Sequence, residues 1–309
     1  MAEKFTQIYK NAFAKITLAL VLAYFIFSLI VPMLLHSNML AWDGAGMYFS
    51  AWYQKEYLFP RIIGWNPFFF LGYAQNQFYP PLYPYLSALL AQIMPLDIAF
   101  KLILAAALLL TPLSFHFLCR SFGFSQSRSA AAAAAMAALL FAFPNDFFGG
   151  NIHSTINIGL YANALALPLF FFLFGSLERL VKREKKDGII IPALLLSAII
   201  LSHTVSAIAA LVLLFTYAFL YRKSALHAIA KILSLSLLLS AFWSIPAIAK
   251  YSFAPLLCRI SPAKKACLGS ALEQYLLFFG ALIAGILGGK GYLLPAQKVQ
   301  LHCPIQNRD

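Results

Sequence analysis

Charge is the scarcest property of this chain. Only 11% of its 309 residues are charged, and 10 are acidic. A soluble domain carries about 25% charged residues, because its surface has to be solvated. The shortfall excludes a soluble enzyme, and the apolar content excludes a disordered chain. Cysteine is scarce as well: Cys119, Cys258, Cys267 and Cys303 include no C-x-x-C pair. That excludes a disulfide-stapled secreted fold and argues against a zinc site, leaving a Cys258–Cys267 bridge open. The net charge of +13 sits in short loops, with no basic stripe interleaved with aromatics, so nucleic acid is not an expected partner.

Apolar residues take up what charge leaves, at 62% of the chain. They recur in runs of about the length that crosses a bilayer core of about 30 Å. The runs are Ile16–Leu35, Leu96–Leu118, Ser129–Phe143, Asn157–Leu177, Ile232–Ile248 and Ala271–Leu287. The stretch Gly188–Tyr221 would be about 51 Å long as one helix, so it reads as two short spans turning at Ser202-His203-Thr204. Leu82–Met94 is too short to cross and reads as a helix lying on the membrane, entered through Pro80-Pro81. The fold class expected is all-α: a polytopic membrane protein with about eight transmembrane helices and an external juxtamembrane helix.

The basic residues orient this arrangement. Arg120, Arg128, the cluster Arg179–Lys186, Arg222-Lys223 and Lys290 all fall on one side with the N-terminus, which the positive-inside rule makes cytoplasmic. The expected location is the cell membrane, multi-pass, with the bilayer itself as a partner. Residues 1–290 form the transmembrane domain, and residues 36–95 its external loop. The polar stretch 291–309 reads either as a solvated tail or as the end of a truncated longer protein.

The few acids mark where chemistry can sit. Glu178, Glu184 and Asp187 lie beside the basic cluster and read as solvated. Asp43 stands in Trp42-Asp43-Gly44-Ala45-Gly46, after the first span and under an aromatic loop. It reads either as a helix cap or as a general base. Asp146 and His153 share a loop and could hold a divalent cation, the one cofactor considered. His203 sits in a turn close to headgroup depth, where an ionisable group is a functional candidate. Asp97 and Lys101, four apart on one helix, are expected to pair. Gly285–Gly291 lacks the spacing of a phosphate loop.

The order of these features carries a resemblance. One span leads to a loop that opens with Asp43. Then come Trp65-Asn66-Pro67, Gly72-Tyr73 and Gln77-Phe78-Tyr79-Pro80-Pro81-Leu82-Tyr83, and later Gly159-Leu160-Tyr161-Ala162-Asn163 and Ser202-His203. Over roughly residues 1–250 the chain resembles the GT-C superfamily of membrane glycosyltransferases. It is more closely similar to the 6-pyruvoyl-tetrahydropterin-synthase-related membrane proteins, which share that architecture. The resemblance implies transfer of a sugar from a polyprenyl-phosphate donor on the external face, with Asp43 as base or acidic ligand. Many members place Lys where this chain has Tyr79, so donor phosphate binding would pass to Lys55, Arg61 or Lys101. Tyr79, Tyr161, Asn163 and His203 complete the expected substrate-binding set. Two other classes remain open: a transporter or flippase of lipid-linked substrates, and a non-catalytic, truncated membrane scaffold.

Overall fold

In a computed structural model that describes residues 2–36, 42–68, 71–141, 151–183, 186–221 and 223–250, the apolar runs are helices. Helix α1 (Ala2–Phe25) continues through a π-turn, Ile26–Ile30, into α2 (Val31–His36). Helix α3 (Asp43–Tyr53) passes through a second π-turn, Gln54–Leu58. A two-stranded antiparallel ribbon follows, β1 (Gly64–Asn66) against β2 (Tyr73–Gln75). Then come α4 (Leu82–Leu90), α5 (Leu96–Ser121), α6 (Gln126–Phe141), α7 (Tyr161–Arg183), α8 (Ile190–Ser202), α9 (Thr204–Tyr221) and α10 (Lys223–Ala249). The class is helical as expected, with the small ribbon as an addition.

Four of the described helical stretches are long and apolar enough to cross a membrane: Lys15–Leu35, Leu96–Ser121, Tyr161–Lys182 and Ala225–Ala249. Ile190–Ser202 and Thr204–Phe219 are apolar but shorter. The expected span 271–287 and the Cys258–Cys267 pairing lie outside the described residues. The third expected crossing, Ser129–Phe143, is a helix of 16 residues within the described part. Helix α4 has nine residues, about 13 Å of rise, well short of a 30 Å core. This agrees with its reading as a helix that does not cross.

Helices α5 and α7 form the centre. Phe115 meets Phe171 edge-on at 5.1 Å, and Phe117 meets Phe172 at 5.4 Å. Gly175 lets the two backbones approach: a Cβ there would lie 2.6 Å from the Phe117 ring and 3.3 Å from Leu118 Cα. Small residues of this kind are how helices pack where lipid removes the hydrophobic drive. Alanine-rich α6 packs between α1 and α5, with Phe141 against Phe25 at 5.3 Å.

At the arginine-rich end of α7 the structure corrects one expectation. Glu178 is not a solvated loop residue. It lies within α7 at 1% exposure, accepts a 2.5 Å hydrogen bond from the Tyr217 hydroxyl of α9, and pairs with Lys182 at 2.7 Å. Arg179 lies over the Phe117 ring at 4.1 Å and donates to Ser121 Oγ, while Lys182 donates to the Ser121 carbonyl. A buried carboxylate is tolerable because both its oxygens are engaged.

Candidate functional site

The loop after the first span is ordered by buried amides. Gln54, Asn66, Gln75 and Asn76 are all at most 6% exposed. Asn66 Nδ2 donates to Gln75 Oε1 at 3.0 Å, and Gln75 Nε2 to Ser50 Oγ at 2.7 Å. Asn76 Nδ2 donates to Gln54 Oε1 at 2.8 Å and to the Ile62 carbonyl at 2.9 Å. Asn76 has φ +61, a left-handed conformation that asparagine tolerates better than most residues. Its carbonyl accepts the Trp243 indole N–H at 2.8 Å, which ties the loop to α10. Aromatic rings cover this network: Tyr53 stacks on Tyr57 at 5.0 Å, and Phe68 meets both.

Asp43 opens α3 and is exposed. Trp42 before it has φ +47, a strained value for a bulky residue. No side chain caps the helix there, and among the described residues the Asp43 carboxylate joins no ion pair or hydrogen bond. Its backbone is pinned instead. Gly159, at φ +92, lies so close that a Cβ on it would sit 2.7 Å from Gly44 Cα and 2.8 Å from the Asp43 carbonyl carbon. Glycine is required here twice over, for the dihedral and for the contact.

Gly159 ends the π-turn Ser154–Ile158, so α7 begins at Tyr161 rather than at Asn157 as expected. Tyr161 is fully buried, stacked on Tyr83 at 5.7 Å and edge-on to Phe100 at 5.2 Å. It has no surface to offer a ligand, and it supports the site rather than lining it. Two residues further on, Asn163 Oδ1 lies 3.1 Å from Ser206 Oγ, and that hydroxyl lies 2.9 Å from His203 Nδ1. His203 breaks α8 from α9 with φ −154 and ψ 120. It caps α9: its carbonyl accepts Ala207 N–H at 3.0 Å and its Nδ1 accepts Ser206 N–H at 3.3 Å. Its Nδ1 is engaged by Ser206 through both the hydroxyl and the backbone N–H, and its Nε2 finds no partner among the described residues.

Tyr79 faces Asp43. Its hydroxyl is pushed up to about 12, first by burial and then by the Asp43 charge. Half of its surface is nevertheless accessible.

The structure therefore brings Asp43, Tyr79, Asn163 and His203 to one end of α7. Three expected cations behave differently. Lys55 pairs with Glu56 at 2.6 Å and sits beyond the far end of α3, about 15 Å or more from Asp43 at 1.5 Å per residue. Arg61 is at the same end of α3, where its carbonyl accepts Gln54 Nε2 at 2.5 Å. Lys101 is 6% exposed and held by Asp97 at 2.8 Å, as the spacing implied. Its neighbour Phe100 packs on Tyr48 of α3 at 5.3 Å. His153 is exposed and lies 2.8 Å from Asn157 Nδ2 through Nδ1. Asp146, its expected partner for a cation, lies outside the described residues. No group of three or more His, Cys, Asp or Glu side chains could hold a metal among the described residues.

The 6-pyruvoyl-tetrahydropterin synthase related domain, a membrane protein family, matches residues 76–257, more than half of the chain. The chain belongs to this family. No curated protein matches it. The stretch that matches the 6-pyruvoyl-tetrahydropterin synthase related domain contains Tyr79, Lys101, Tyr161, Asn163 and His203, and starts after Asp43, Lys55 and Arg61. The sequence reading missed Ser206, Trp243 and the buried amides. The signal available was the run Gln75-Asn76-Gln77, three amides together in a chain poor in polar residues.

Proposed function

We propose that the protein is a GT-C-type membrane glycosyltransferase that takes a sugar from a polyprenyl-phosphate donor on the external face of the cell membrane. The observation that carries this reading is the contact of Gly159 with the Asp43–Gly44 backbone. It sets a carboxylate with no partner among the described residues beside the start of α7, where Asn163, Ser206 and His203 are linked. In the reaction, the Asp43 carboxylate takes the proton of an acceptor hydroxyl. That oxygen attacks the anomeric carbon, the bond from that carbon to the phosphate oxygen breaks, and the phosphate leaves as the anion. The Tyr79 hydroxyl, kept protonated, and the His203 Nε2–H are donors for oxygens of the bound substrate. Lys101, the cation whose helix packs beside α3, balances the departing phosphate once it gives up its pair with Asp97.

Asp43→Asn keeps the shape and removes the basic oxygen. Turnover in proteoliposomes with a lipid-linked sugar donor should fall about 10²–10⁴-fold, with the melting temperature unchanged. Equal turnover would remove Asp43 from the reaction. No turnover by the wild type across several donors would favour the scaffold reading.

A further inference from the structure

Among the buried amides of the loop, Gln77 is the exception. It is 3% exposed, yet its Nε2 has no hydrogen-bond partner, and its side chain takes part in no hydrogen bond among the described residues. The neighbours show that this packing can satisfy carboxamides: Gln75 and Asn76 each make several bonds, and Gln54 makes two. A buried unpaired donor costs free energy that nothing in the loop repays, and such exceptions call for a cause. Gln77 stands two residues before Tyr79, the ring that faces Asp43, and directly after Asn76, whose backbone Trp243 holds. Its backbone is fixed by Gln77 N–H donating to the Ala74 carbonyl at 3.2 Å. The segment is thus rigid on both sides of an idle carboxamide.

We propose that the Gln77 carboxamide is a binding subsite for a hydroxyl of the transferred sugar. A carboxamide offers one donor edge and one acceptor edge in a plane. Its complement is a group that both donates and accepts, as sugar hydroxyls do. A phosphate only accepts, and a cation serves it better. This rests on the reading of a lipid-linked sugar as substrate. A site built to hydrogen-bond a hydroxyl rejects ligands that lack it, since the site's own groups are then left unpaired. Gln77 would therefore discriminate between a donor lipid that carries its sugar and the spent lipid phosphate.

The test uses the full chain in nanodiscs and reads thermal stability with two probes, a polyprenyl phosphate and a polyprenyl-phosphate hexose. The wild type should melt higher with the hexose-bearing lipid than with the bare one. Gln77→Leu removes the idle carboxamide at similar volume. It should melt at or above the wild type without lipid and respond equally to both lipids. Gln75→Leu serves as the structural comparison and should melt lower, because it breaks bonds to Ser50 and Asn66. The proposal is overturned if Gln77→Leu melts as low as Gln75→Leu, if it keeps the hexose preference, or if the wild type shows no preference. A wild type that prefers the hexose lipid but transfers nothing would remove the transferase reading and leave this subsite standing.

Discussion

The two ends of α7 handle polar groups in opposite ways. At the Glu178 end, the carboxylate is shared between Tyr217 and Lys182, Arg179 has a ring and a hydroxyl, and Ser121 receives both cations. At the Asp43 end, an acid stands exposed without a partner, a histidine keeps Nε2 open, and a buried glutamine bonds to nothing among the described residues. The first end ties α5, α7 and α9 together through groups that satisfy one another. The second holds a strained backbone at Trp42 and a buried Gln77 Nε2 that no hydrogen bond satisfies among the described residues. Polar groups that a fold uses for itself are paired; those left unpaired in an ordered setting are the ones available to a ligand.

Gly159→Ala probes the one contact where both kinds of demand meet. A side chain at φ +92 is strained, and its Cβ would push the Asp43–Gly44 backbone away. The expected cost is roughly 3 kcal/mol, measured by chemical or thermal melting in detergent. Turnover per folded molecule should fall as well, because Asp43 moves. A variant that loses stability and keeps full turnover would separate the Asp43 turn from the site.

Glu178→Ala should act on stability alone. Removing the carboxylate takes one acceptor from the Tyr217 hydroxyl and one from Lys182, which keeps the Ser121 carbonyl, at a cost of about 2–3 kcal/mol, reduced because Lys182 is half exposed. Ligand binding and turnover, corrected for folded fraction, should match the wild type. A specific loss of turnover would break the contrast between the two ends.

The same contrast marks what could be read without coordinates. Helices were legible because a run such as Leu96–Leu118 leaves no alternative, though against eight expected spans four described helices are long and apolar enough to cross, and the break at His203 was legible because 34 residues exceed one crossing. Glu178 was misread for a physical reason. Its sequence neighbours, Arg179 and Lys182, imply water, while the partner that buries it is Tyr217, 39 residues away. The amide network is equally non-local, since Trp243 reaches Asn76 across 167 residues. The ribbon escaped notice because three-residue strands carry no alternation to detect. Asp43 and His203 were legible as rare polar groups at helix ends. Their convergence was not, because it depends on the tertiary contact at Gly159.

Trp243→Phe tests whether the loop needs its tie to α10. It keeps an aromatic ring of smaller volume and removes the N–H that Asn76 O accepts, at an expected cost of about 1–2 kcal/mol. Because Asn76 precedes Gln77, the preference for a hexose-bearing lipid should weaken along with the melting temperature. A change in melting alone would make Trp243 a purely structural anchor.

The smallest effect is the titration of Tyr79. Its folded pKa of about 12 lies above the ordinary value of 10. Between pH 10 and 12 the folded state keeps a proton that the unfolded chain gives up, so this group's contribution to stability is intact below pH 10 and is lost as pH rises through 12. Half of the ring is accessible, so solvent trims the effect. Melting curves of wild type and Tyr79→Phe should run parallel from pH 7 to 10. Above that, the wild type should fall away from the variant. Other buried tyrosines titrate in both proteins and cancel in the difference. In an Asp43→Asn background the divergence should begin at the same pH, level off at lower pH and be smaller, because the charge that adds to burial is gone, but it should not vanish, because burial is the larger cause. Parallel curves up to pH 12 would mean that Tyr79 is neither enclosed nor within reach of the Asp43 charge, and it would leave the candidate site.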